Sequence, residues 1–197
     1  MKAKIFLAAK KLFGEYGFHG TTTRMIAQEV GIDISTMHYH WGDKRDLYEA
    51  VILDLNERIQ YKLNEVEKNV KGESLDIRLE VSIEEMCEYL FSNPCISNLI
   101  LFRSFTKTRE DSSIDKKVPE YISNIAVAMG LAIDKQNITV EAKARVLAVV
   151  NAILNFISGE NFFREMLDIT HEEYVRVVKD TLKFILIPAF SKDKIKN

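Results

Sequence analysis

Only eight glycines and three prolines punctuate this chain of 197 residues, just under half the usual share of about 12%. A β-sandwich or barrel needs a turn roughly every 8–12 residues, so this scarcity of turn-formers leaves a mostly helical chain. With 47% hydrophobic and 28% charged residues, it has the composition of a globular protein and not of a disordered one. The expected class is all-α.

The N-terminal run Met1-Lys2-Ala3-Lys4-Ile5-Phe6 leads directly into an amphipathic pattern, so no signal peptide is expected. The longest apolar stretch, Val146 to Ile157, is interrupted by Asn151 and Asn155 and falls short of the roughly 18 residues a membrane span needs. Cys87 and Cys95 form no Cys-x-x-Cys, which argues against a disulfide scaffold or zinc site. No nucleophile elbow, phosphate loop or metal-spaced cluster of His and carboxylates is present, so no catalysis and no cofactor are expected. The expected location is cytoplasmic, with no membrane partner. The net charge of −2 hides an asymmetry: residues 1–48 carry seven Lys/Arg against five Asp/Glu, and the remainder is acidic. That is the sign expected of a small DNA-contacting head on an acidic body.

Periodicity divides the chain into about nine helices. The first runs from Lys2 to about Tyr16, and Gly14, Gly17 and Gly20 turn the chain after it. Thr22 or Thr23 caps a short second helix ending before Gly31, and a third covers Ile34 to Trp41. Asp43 caps a long fourth helix whose apolar residues recur from Leu47 to Val70. A fifth starts at Ser74 and a sixth at Asn93-Pro94, reaching about Thr108. After a polar loop at Glu110-Asp111-Ser112-Ser113 come helices over Val118–Ile133 and from Thr139 to Ser158. A capping box at Thr170-His171-Glu172-Glu173 opens the ninth, which Pro188 is expected to terminate. Two domains follow: a head over residues 1–48 and a body over 49–197.

Residues 23–42 have the layout of a helix-turn-helix. Ala27 permits close approach of two backbones, Gly31 permits the turn, and Ile26, Val30, Ile32 and Met37 supply a small core. With about 100° per residue and Met37 inward, Trp41 faces the core while Ser35 and Tyr39 point outward, Thr36 and His38 flank them, and His40 lies nearer the protein. In a major groove Ser35, Thr36 and Tyr39 are best placed for base edges. His38, Tyr39, His40 and Lys44 carry donors suited to phosphates. His38-x-His40 cannot hold a metal, because residues two apart on a helix diverge by about 200°.

The run from Thr22 to Leu47, with Ala8-Ala9-x-x-Leu12-Phe13-x-x-x-Gly17 before it, closely resembles the TetR family of transcriptional regulators over about residues 5–52. The resemblance implies a DNA-binding head of three helices and a dimerising, ligand-binding body. It also implies DNA contacts at the positions of Thr23, Arg24, Ile34, Ser35, Thr36, His38, Tyr39, His40 and Lys44. The chain departs from the family's common pattern at His38, where tyrosine is usual, and at Trp41, where phenylalanine is usual.

In the body, Ala144, Ala148 and Ala152 form a small-residue stripe. With Tyr174, Val178, Leu182 and Ile185 it is expected to make a homodimer interface. Met86, Tyr89, Phe102, Phe105, Met129, Asn151 and Asn155 are candidates for an effector pocket, the two asparagines as buried amides in need of partners. The leading expectation is a dimeric repressor that binds a palindromic double-stranded DNA operator and is released by a small hydrophobic or aromatic effector. The alternatives are an activator, a regulator controlled by a protein partner, and, more remotely, an enzyme or adaptor that binds no DNA.

Overall fold

The structure, a computed structural model, describes residues 1–105 and 118–191. These residues form ten α-helices and no strand. The helices are α1 (Lys2–Gly20), α2 (Thr23–Val30), α3 (Ile34–Trp41), α4 (Lys44–Asn69), α5 (Leu75–Phe91), α6 (Pro94–Phe105), α7 (Val118–Ala128), α8 (Val140–Ser158), α9 (Glu160–Leu167) and α10 (His171–Ser191). By compactness the chain divides into Met1–Ile59 with Asn93–Glu110, and Gln60–Ser92 with Asp111–Asn197. This division differs from the expected 1–48 and 49–197 by giving the first part of α4, and α6, to the N-terminal unit.

The helix ends follow local chemistry. Thr22 Oγ1 accepts from the Met25 N–H, and Thr139 Oγ1 from the Ala142 N–H. The Thr170–Glu173 capping box is reciprocal: Glu173 N–H donates to Thr170 Oγ1 at 3.3 Å, and Thr170 N–H to Glu173 Oε2 at 3.0 Å. Asp43 and Asp46 cap α4 in the same manner.

Within the first unit α1 packs against α6, α2 and α3. Ile5, Ala9, Leu12 and Phe13 of α1 are buried, as are Leu47, Val51 and Leu55 of α4 and Ile96 and Leu99 of α6. Each large apolar side chain among them contributes about 1.5–3 kcal/mol. The contact of α1 with α6 depends on Gly14, where a Cβ would lie 2.9 Å from the Cβ of Cys95.

In the second unit α5 packs along α10. Leu79, Ile83 and Cys87 recur every fourth residue on one helix, and Tyr174, Val178, Leu182, Leu186 and Phe190 do so on the other. Ala126, Met129 and Val146 complete this core. Above it runs a ladder of ion pairs: Lys179 Nζ to Glu84 at 2.6 Å, and Lys183 Nζ to Glu84 at 2.8 Å and Glu80 at 3.9 Å.

Three expectations about elements are corrected. A tenth helix, α9, follows α8 after Gly159 at an angle of 75° and ends where Asp168 turns left-handed (φ 53°). The seventh helix stops at Ala128 and not Ile133: Leu131 N–H bonds Ala126 O, and Gly130 N–H bonds Val127 O, which closes it as a Schellman motif. Pro188 does not terminate α10, which continues to Ser191. Proline removes one backbone donor and crowds the carbonyl four residues back, but Pro188 is exposed in the last turns, where little depends on that bond. The expected loop at 110–113 and the helix end at Thr108 lie outside the described residues.

Candidate nucleic-acid interface

The turn between α2 and α3 is made by Gly31, left-handed at φ 74°, a conformation that side-chain-bearing residues resist. Ile32 N–H reaches back to Ala27 O at 3.0 Å and Gly31 N–H to Gln28 O at 3.1 Å, again a Schellman motif. Ile26, Ala27 and Met37 are at most 2% exposed and lock the two helices together. With Met37 turned inward, the opposite side of α3 faces solvent. Tyr39 is 86% exposed, Ser35, His38 and Ile34 are also exposed, and Thr36 and His40 are half-buried at the flanks. Arg24, at the start of α2, is exposed and makes no ion pair among the described residues; Thr23 beside it is half-buried.

The C-terminal end of α3 is tied down on both sides. His38 Nδ1 lies 2.6 Å from Gly42 O, a carbonyl that can only accept, so the ring donates from Nδ1. Trp41 Nε1–H donates to Lys2 O at 3.0 Å, and its ring stacks on Phe6 with centroids 5.6 Å apart. The backbone N–H groups of Asp46 and Arg45 hold the Asp43 carboxyl below the usual carboxylate range, and the nearby Arg45 and His38 add to this.

Lys44, expected as a phosphate contact, is engaged within the head. Its ammonium donates to the carbonyls of Phe18 at 2.9 Å and Thr21 at 3.0 Å, and lies 4.2 Å over the Phe18 ring. Burial pushes its pKa down. Thr21 is itself fully buried, its hydroxyl bonded to Leu12 O and Gly17 O. Lys44 thus closes the connection between α1 and α2 from inside. The charge of a lysine at this place in the sequence suggested a phosphate contact; the carbonyls that take it belong to residues 26 and 23 positions earlier and are visible only in the fold.

The residues expected at a dimer interface separate into two groups. Ala148 and Ile185 (54% exposed) lie on the surface, and Ala152 is half-buried. Tyr174, Val178 and Leu182 are corrected: they are at most 2% exposed within the core of their own unit, and Tyr174 donates its hydroxyl proton to Phe156 O at 2.7 Å. Phe184, 81% exposed, joins Ile185 on the outer side of α10 and was not anticipated.

The seven pocket candidates divide between the two units. Phe102 and Phe105, 42% and 74% exposed, belong to the first unit. The other five belong to the second, where Met129 is in the core and Met86 and Tyr89 are half-buried. Asn151 and Asn155 are exposed and not buried; their amides donate to the carbonyls of Leu147 and Asn151, each at 2.8 Å, four residues back on the same helix. No single described helix is long and apolar enough to cross a membrane.

Residues 5–51 match the family described as bacterial regulatory proteins, tetR family. The repressor AcnR of Corynebacterium glutamicum is 21% identical over 125 residues, 58% of this chain and 66% of AcnR, so the match spans about two thirds of that relative. Among solved structures, a Clostridium perfringens protein assigned as a fatty acid metabolism regulator aligns with a TM-score of 0.70 at 20% identity, over 94% of this chain and 97% of its own. The regulator FadR of Bacillus subtilis, solved with stearoyl-CoA, aligns with a TM-score of 0.61 at 14% identity, over 95% and 98%. The helix-turn-helix head, residues 5–51, is thus that of the TetR family of transcriptional regulators, and the all-helical fold is shared nearly end to end with these solved structures.

Proposed function

We propose that this regulator is a dimeric repressor that acts in the cytoplasm, binds a palindromic operator and leaves it when a small apolar effector occupies the body. The observation that carries the DNA-binding part is the bare outer side of α3, with Tyr39 86% exposed opposite a fully buried Met37. Laid in a major groove, that side brings Ser35, Thr36 and Tyr39 to base edges. Thr23, Arg24, Ile34, His38 and His40 border it and fix the register on the phosphates. Lys44 supports this surface from within.

For the dimer, the exposed residues Leu147, Ala148, Asn151 and Asn155 lie along one side of α8, and Phe184 and Ile185 lie along one side of α10. Small and apolar side chains allow close helix packing between two copies, and two heads suit a two-fold operator. The effector is assigned to the second unit, whose core cluster is built of apolar side chains and Tyr174. An alkyl chain fits that chemistry, and FadR of Bacillus subtilis was solved with stearoyl-CoA. Selection of bound duplexes from a random library tests the proposal. A two-fold symmetric site with half-sites about 34–36 Å apart supports it, and recovery of no sequence overturns it. Titration of the selected complex with fatty acyl-CoA then tests release.

A further inference from the structure

Seven basic residues stand in positions 1–48, and the structure shows how four of them are occupied. Lys10 pairs with Asp54 at 3.5 Å, Lys11 with Glu29 at 2.7 Å and Arg45 with Glu49 at 3.6 Å, while Lys44 is bound to carbonyls. Lys2, Lys4 and Arg24 form no ion pair among the described residues. Of these, Lys2 is fixed against the recognition helix itself. Trp41 Nε1–H holds its carbonyl at 3.0 Å, and its ammonium lies 4.6 Å from the centre of the Trp41 ring. The Phe6 ring, one turn further along α1, stacks on the same indole.

Positions three apart share a side of a helix, so Trp41 places Lys2 on the side of α3 that carries the exposed His38. An aromatic face takes no conventional hydrogen bond from an ammonium, so the three donors of Lys2 remain for a phosphate oxygen. The indole N–H is the one part of this arrangement that a phenylalanine could not supply.

We propose that Lys2 is a DNA-phosphate contact at the C-terminal end of α3, and that Trp41 is the positioning residue that holds it there. This rests on the DNA-binding role proposed above. Binding of a fluorescein-labelled duplex, selected from a random library by the wild-type protein, is followed by anisotropy between about 50 and 200 mM salt. Lys2→Ala is expected to flatten the slope of log K against log salt by about 0.9 per head, and Lys2→Arg to restore it. Trp41→Phe keeps the stacked ring but removes the N–H; it should flatten the slope in the same direction. Adding Lys2→Ala to Trp41→Phe should flatten it no further than Lys2→Ala alone.

A purely structural Trp41 would lower the melting temperature and leave the slope unmoved, which overturns its positioning role. Full additivity of the two substitutions overturns that role as well. Equal slopes for wild type and Lys2→Ala overturn the phosphate contact while DNA binding stands. A wild type that selects no duplex overturns both the DNA-binding role and this contact.

Discussion

At Lys44 the ammonium grips two carbonyls of the connection between α1 and α2, whereas at Tyr39 the side chain lies 86% in solvent. The two positions therefore respond oppositely to truncation. Lys44→Ala strands the Phe18 and Thr21 carbonyls, at a cost of about 1–3 kcal/mol, read as a lower urea midpoint with the salt slope of DNA binding unchanged. Tyr39→Ala should shift stability by no more than about 0.5 kcal/mol. Its effect appears in discrimination, about 1–3 kcal/mol at particular base pairs, measured by comparing the selected duplex with its single-site variants. Uniform loss over all sequences at Tyr39 would remove α3 from the groove.

Among the elements, α5 and α10 are joined by a core stripe and by the ladder at Glu84. Hydrogen bonds from Lys179 and then Lys183 hold the Glu84 pKa below its ordinary value of 4.5. A carboxyl with a depressed folded pKa contributes stability that is fully present above the unfolded value and lost as pH falls through the folded one. Acid unfolding midpoints should therefore show Glu84→Gln less sensitive than wild type to a fall in pH below 4.5, with partial solvent exposure keeping the difference modest. Caps and turns were legible in the sequence because they are local: Thr22, Asp43, Thr139 and the Thr170–Glu173 box each act within three residues. The facing of α10 was not. Apolar residues line both its 174/178/182 side and its 184/185 side, and a helix apolar on two sides does not declare which side meets its own core. Asn151 and Asn155 misled for a related reason, since an asparagine within an apolar run looks buried whichever way it points, and both amides turn back onto their own helix. The tenth helix escaped notice because a single residue, Gly159, separates it from α8.

For the whole molecule, the separation of inner and outer residues on α10 gives a sharp contrast. Ile185→Arg on the outer side should yield a folded protein that sediments as a monomer. Leu182→Ala, only three positions away and 2% exposed, should instead lose about 2–5 kcal/mol of stability. A folded, fully dimeric Ile185→Arg would move the interface elsewhere. If effector and operator are coupled, a coupling of about 1–3 kcal/mol means roughly 5- to 150-fold weaker operator binding, and linkage demands that operator weaken effector binding by the same factor. Calorimetric titration of acyl-CoA with and without the selected duplex checks this, and equal affinities would deny the coupling. Trp41 is the chain's sole tryptophan, and it sits between Phe6, Lys2 and the recognition helix. All indole emission from this protein therefore originates at the C-terminal end of α3. Displacement of the lysine from above the ring registers as a change in intrinsic fluorescence, and under the proposed DNA-binding role so does docking of a duplex. The chain thus carries a built-in optical probe of the contact between Lys2 and Trp41, readable without any attached dye.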